Sequence, residues 1–139
     1  MSNENPAHIY RISIPVRPVG KARARKAKYT NHFYTSEGTV INTRWIRSYA
    51  KALIPKPLAG PVILHIWFMF AKKNVKWDDD LPHFAKPDID NTAKLVKDAL
   101  NGIAYHDDCQ VSDSMLHKRY SDKNEINITV QNWAPALVI

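Results

Sequence analysis

The chain has 139 residues, 45% of them hydrophobic and 24% charged, with one cysteine and a formal net charge of +7. That length supports one domain with one core, the composition excludes disordered and collagen-like chains, and Cys109 alone excludes an internal disulfide or a cysteine-rich zinc site. The longest apolar run, 62–71, is broken by His65 and too short to span a bilayer, and the polar start lacks a signal-peptide layout, so a cytoplasmic protein that crosses no membrane is expected.

Taken in chain order, Tyr10, Ile12, Ile14 and Val16 alternate and predict a first strand, ended by Pro15 and Pro18. Residues 17–28 then form a basic loop, because Lys21, Arg23, Arg25, Lys26 and Lys28 are separated by alanines but accompany no apolar face. From about residue 36 to 54, Ile41, Trp45, Tyr49 and Leu53, with Ile46 and Ala50 beside them, recur at helical spacing and predict an amphipathic helix. Pro55, Pro57, Gly60 and Pro61 break it. Residues 62–71 are bulky on both alternating faces, which predicts a central strand covered twice, with Trp67 and the earlier Trp45 in the core. A long loop, 72–86, leads to a second helix over 91–100 that buries Thr92, Leu95, Val96, Ala99 and Leu100 and stops at Gly102. Two more strands are expected at roughly 110–120 and 125–130. The order strand, helix, strand, helix, strand, strand gives a small single-domain α/β (α+β) fold with a mixed sheet and two main helices over 1–139, residues 1–8 forming a flexible N-terminus.

Charge is polarised along this order. Residues 1–56 carry eleven Lys or Arg against two acids, whereas 57–139 carry nine against eleven. A basic half suits a polyanion, because each cation placed on a phosphate releases condensed counterions. The acids, by contrast, gather in two segments, Lys86-Pro87-Asp88-Ile89-Asp90-Asn91-Thr92-Ala93-Lys94 and His106-Asp107-Asp108-Cys109-Gln110-Val111. If the extended backbone that Pro87 favours at Lys86 continues, Asp88 and Asp90 present their carboxylates on one side, a hard-oxygen site for Mg²⁺ or Mn²⁺. Asp90, Lys94 and Asp98 then form one exposed helical stripe.

Each feature also has an ordinary structural account. Asp90 alone is an N-cap, Lys94 with Asp98 a surface ion pair, Asp107-Asp108 an acidic turn, His106 a surface histidine and Cys109 a small packed residue. The conjunction points to a divalent cation, since crowded carboxylates repel unless positive charge sits among them.

These residues resemble a known signature. Lys86-Pro87-Asp88-Ile89-Asp90-Asn91 with Lys94, then Asp98-Ala99-Leu100-Asn101-Gly102, then Asp107-Asp108-Cys109-Gln110-Val111 is similar to the pattern of the RusA family of Holliday junction resolvases. The likeness is dense from Lys86 to Val111 and weaker before it, and it departs at Trp77-Asp78-Asp79-Asp80 and at His83, Phe84 and Ala85, where basic residues often stand.

The resemblance implies a homodimeric, Mg²⁺-dependent endonuclease, with Mn²⁺ able to substitute, that cuts four-way junction DNA in recombination and repair and is often encoded by phages or prophages. It assigns Asp88, Asp90 and Asp108 as essential carboxylates and metal ligands, Asp107 as a further ligand, and Lys94 as the catalytic lysine. Lys21, Arg23, Arg25, Lys26, Lys28 and Lys86 are the expected DNA contacts. A flap or fork nuclease of the same family, and a non-catalytic DNA-binding protein, are the competing expectations.

Overall fold

The computed structural model describes residues 7–21, 37–72 and 81–133 together with the backbone of 25–26 and 33–34. Arg23, Lys28, Trp77, the acidic run 78–80 and the apolar tail 134–139 lie outside the described residues. The elements are β1 (Ile9–Ile14), β2 (Arg25–Lys26), β3 (Phe33–Tyr34), α1 (Glu37–Leu53), β4 (Val62–Ala71), α2 (Ile89–Ala99), β5 (Val111–Ser121) and β6 (Glu125–Asn132). The expected α+β domain forms, with one addition. The basic segment read as a loop carries a short ribbon, Arg25 opposite Tyr34 and Lys26 opposite Phe33.

A four-stranded sheet in the order β1-β6-β4-β5 organises the domain. β6 is antiparallel to β1 and β4, whereas β4 and β5 run parallel, and a parallel pair needs a crossover, which the chain supplies through α2. Val62, Leu64, Ile66, Phe68 and Phe70 of β4 are buried and meet Ile126, Ile128 and Val130 of β6 and Ile12 and Ile14 of β1 in one core. α2 adds Ala93, Leu95, Val96 and Ala99 at helical spacing, and Gly102, at φ 78°, takes the left-handed turn that ends this segment. Each fully buried Leu, Ile or Phe contributes about 1.5–3 kcal/mol, so this face of the sheet carries most of the stability.

Three expectations are corrected here. α1 does not bury Ile41, Trp45, Tyr49 and Leu53, which are 40%, 41%, 39% and 46% exposed. It turns Thr39, Asn42, Ile46 and Ala50 inward instead. The polar pair on that buried face is used, since Asn42 Nδ2 donates to Arg17 O at 3.1 Å and Thr39 Oγ1 to Gly20 O at 3.2 Å. α1 thus grips the loop after β1 rather than presenting its greasiest side to the sheet. Trp45 is consequently a surface residue. β4, in turn, is covered once: Ile63, His65, Trp67 and Met69 are half-buried on the opposite face, where Trp67 stacks on His117 at 3.9 Å.

Candidate active site

The first acidic segment opens α2. Helical geometry begins at Ile89, with Asp88 as the N-cap residue at φ −66°, ψ 145°. Asp88 and Asp90 are therefore not neighbours along an extended strand, because Asp90 already lies in the first helical turn. The Asp88 side chain makes no capping hydrogen bond and pairs with Lys86 at 3.5 Å. Behind it, residues 81–85 are stitched to β5: His83 N donates to Lys118 O at 3.0 Å, Tyr120 N to Leu81 O at 2.8 Å, and Lys118 Nζ to Ala85 O at 2.6 Å. Burial lowers the Lys118 ammonium's pKa, and the Asp88 carboxylate partly restores it.

Along α2 the expected stripe of Asp90, Lys94 and Asp98 is present, its ends about 12 Å apart at 1.5 Å per residue. Asp98 is the end that meets the second acidic segment. There Asp108–Gln110 form a single 3-10 turn capped by Asp107, whose Oδ1 accepts from Cys109 N at 3.2 Å. Gln110 closes the box. Its Oε1 accepts from His106 N at 2.7 Å and Asp107 N at 3.1 Å, while its Nε2 donates to Leu58 O and Gly60 O, both at 2.9 Å. One side chain thus ties the acidic turn to the loop ahead of β4.

The structure brings Asp98, Asp107 and Asp108 together. Asp108 lies beside both, and burial, then its interactions with the Asp98 and Asp107 side chains and their negative charges, push its carboxyl above the usual range. Burial works the same way on Asp98, yet Lys21 and the interaction with Asp108 outweigh it and hold that carboxyl below its ordinary value, with Lys94 adding in the same direction. Lys21 forms an ion pair with Asp98 and donates its backbone N–H to Asn91 O at 3.1 Å. Gly20 makes this approach possible: a Cβ there would stand 3.2 Å from Asn91 Cβ and 3.5 Å from Pro87 Cβ. Beneath the cluster, Tyr105 is fully buried and donates its hydroxyl to Lys97 O at 2.7 Å, and burial together with the three carboxylates raises its pKa.

The family profile described as Endodeoxyribonuclease RusA matches residues 15–131. The chain belongs to the RusA endodeoxyribonuclease family. It is also 46% identical over 46 residues to the uncharacterized protein YqaN of Bacillus subtilis (strain 168), a match that covers 33% of this chain and 32% of the relative. The chain therefore aligns with about a third of that relative's length.

Every residue of the cluster falls inside the RusA match, and so do the sequence-expected Asp88, Asp90 and Lys94. Asp98, Gly20 and Gln110 were not singled out as site residues from sequence. Asp98 had read as half of a surface ion pair, and Gln110 as one letter of a motif. Cys109, expected to be packed, is exposed, and His106 is exposed with its amide held by Gln110. Of the expected DNA contacts, Lys21 pairs with Asp98, Lys86 is 90% exposed and only 3.5 Å from Asp88, and the side chains of Arg25 and Lys26 lie outside the described residues with Arg23 and Lys28. Carboxylates are the side chains that suit a hard cation, and Lys21 offsets part of the charge they bring together here. Among the described residues, no group of three or more His, Cys, Asp or Glu is gathered closely enough to hold a metal ion.

Proposed function

We propose that this chain is a Mg²⁺-dependent endodeoxyribonuclease that resolves four-way DNA junctions by paired nicks in opposing strands. The observation that carries the proposal is the joining of Asp98 to the Asp107-Asp108 turn, flanked by Lys21 and Lys94, within a RusA-family chain whose basic residues concentrate in its first half. On this reading Asp88, Asp90, Asp107 and Asp108 are the ligands of Mg²⁺ or Mn²⁺, and they would have to converge on binding it, since Asp90 and Asp98 stand about 12 Å apart along α2 and Asp108 lies at the Asp98 end. When bound, such an ion acidifies a water and offsets charge on the phosphate oxygens during in-line displacement.

The chain's own side chains do the rest. Asp98, held by its ion pair with Lys21, stands beside Asp108 and raises that carboxyl's affinity for a proton or a cation. The Lys94 ammonium, exposed one helical turn from both Asp90 and Asp98, faces the approaching phosphodiester and stabilises the negative charge that builds on it. Lys21 neutralises Asp98, so the cluster does not repel the strand it must cut. No nucleophilic side chain is required, and Cys109 has no part in this scheme.

Paired nicking requires two sites, and a homodimer supplies them about a two-fold axis. The apolar flank of α1 supports this assembly. Trp45 and Tyr49 stack at 6.0 Å on the surface, with Ile41 and Leu53 a turn before and after them, on the side of α1 opposite Arg47, which binds the end of α2. A second copy covers that stripe with its own.

The test is cleavage of an end-labelled four-way junction beside its linear duplex, in Mg²⁺ or in EDTA, by wild type and by Asp90→Asn and Asp108→Asn. Symmetric nicks confined to the junction, dependent on the ion and lost in both variants, are expected. Binding without cutting in Mg²⁺ or Mn²⁺ refutes the nuclease, and preferential cutting of flaps or forks replaces the junction as substrate.

A further inference from the structure

α1 presents three faces, and only two have been given a use. Thr39, Asn42, Ile46 and Ala50 point into the domain, and Ile41, Trp45, Tyr49 and Leu53 form the apolar flank. On the third, Thr43, Arg44, Arg47, Ser48 and Lys51, with Thr39 and Val40 a turn earlier, line an open groove of about 660 Å³. Helical spacing puts Arg44, Arg47 and Lys51 on one ridge, with the two hydroxyls on either side. The only acid in the helix is Glu37 in its first turn. Neither Arg44 nor Lys51 takes part in an ion pair among the described residues.

The position of this ridge matters more than its charge. Arg47 Nη1 donates to Ala99 O at 2.8 Å and Asn101 O at 3.1 Å, the carbonyls that follow Asp98 at the end of α2. Arg47 is thus the point where the basic ridge touches the segment that carries a carboxylate of the site. A polyanionic strand leaving the cluster passes onto a surface that carries cations and no acid beyond Glu37. The dimensions fit as well. Arg44 and Lys51 are seven residues apart, about 10.5 Å along the axis at 1.5 Å per residue. Successive phosphates of one strand advance about 3.4 Å along a duplex, so the ridge spans about three steps. Arg, Lys, Ser and Thr are the side chains that contact phosphate oxygens without reading bases. That is what a structure-selective enzyme needs on the arms of its substrate.

We propose that the Arg44–Lys51 flank of α1 is a phosphate-backbone track that holds a DNA arm leading away from the carboxylate cluster. This rests on the nuclease reading for the identity of the polyanion, not for its geometry. None of its residues was expected to contact DNA from the sequence, where this helix had only an apolar role.

The experiment is binding of a fluorescein-labelled four-way junction in EDTA, followed by anisotropy between about 50 and 200 mM KCl, where phosphate contacts show most clearly. The proteins are wild type, the double variant Arg44→Gln/Lys51→Gln, and Arg11→Gln, which alters an exposed arginine on β1 instead. Each phosphate contact contributes about 0.9 to the slope of log K against log salt, so the double variant should lose about 1.8 and bind about tenfold or more weakly. Arg11→Gln should match wild type. A double variant whose slope stays within about 0.3 of wild type overturns the track, as does equal loss in Arg11→Gln, which would mark diffuse charge instead. Wild-type cleavage in Mg²⁺ is measured in parallel. If wild type fails to cut yet the slope falls as expected, the nuclease reading fails and the track stands. If wild type cuts and the slope is unchanged, the reverse holds.

Discussion

Replacing Gln110 by alanine tests whether the acidic turn is held by one side chain. Four hydrogen bonds are lost at once: two backbone N–H groups, of His106 and Asp107, lose their acceptor, and two carbonyls, of Leu58 and Gly60, lose their donor. A net hydrogen bond contributes about 1 kcal/mol, and three of these four are solvent-accessible, where water takes over much of the work, so the sum comes to about 2 kcal/mol rather than four. For a chain of this length, that is a fall in Tm of about 8 °C. The functional loss should exceed the structural one, because the released turn carries Asp107 and Asp108, and misplacing a reacting group by about 1 Å costs on the order of a hundredfold in rate. Calorimetry gives the first number and junction cleavage in Mg²⁺ the second. Gln110→Glu separates the two halves of the clamp, since it retains an acceptor for the amides and opposes the two carbonyls. If Gln110→Ala melts within about 1 °C of wild type, or loses stability while cleaving at full rate, the clamp does not position the carboxylates.

Other perturbations address separate parts of the molecule. His83 is buried, stacks on Phe70 at 3.8 Å, and leaves Nδ1 without a partner; burial, with Lys118 and Arg17 nearby, lowers its pKa from 6.5 to about 4. The fold thus keeps it neutral while the unfolded chain takes a proton below pH 6.5, so stability is flat above that value and falls as pH drops from about 6.5 towards 4. The loss between pH 7.5 and 5 is about 2 kcal/mol, and denaturant titration of His83→Phe should show a correspondingly flatter profile; parallel curves would contradict it. Gly20→Ala puts a Cβ at 3.2 Å from Asn91 Cβ and should cost about 1 kcal/mol while loosening Lys21 from Asp98; an unchanged melt would show that the loop gives way freely. Trp45→Glu should shift sedimentation from dimer to monomer and remove the dependence of Tm on protein concentration, since Trp45 is 41% exposed in the single chain, and a persistent dimer would move the interface elsewhere.

Legibility from sequence followed burial. β4, α2 and β6 were readable because their alternation or helical spacing reflects one covered face, and their bounds fall within two residues of expectation. α1 was readable as a helix and misread as a surface. Periodicity reports that apolar residues share a face; it does not say whether that face meets the chain's own sheet or another molecule, and here the small and polar residues won the inside position because they hold the 17–20 loop. Trp67 was misplaced for a related reason, since a strand with two bulky faces looks the same whether its second face is covered by helices or open. In the site, Asp108 and Lys94 stood out through their motif, whereas Asp98 was hidden by its resemblance to any helical surface acid. Its importance comes from Lys21 and Asp108, partners that are 77 and ten residues away and that only the folded chain reveals.

The β4-α2-β5 crossover has a consequence for how such a chain can vary. Both acidic segments lie between two neighbouring parallel strands, and the stretch from Asp98 to Asp107 is measured out by short bonds: Gly102 N to Tyr105 O at 2.8 Å, Ala104 N to Leu100 O at 3.0 Å and Leu58 N to Ala104 O at 2.8 Å. It works as a ruler. A residue inserted between 99 and 107 would move one acid past another, so length changes there should abolish the site even where every side chain is retained.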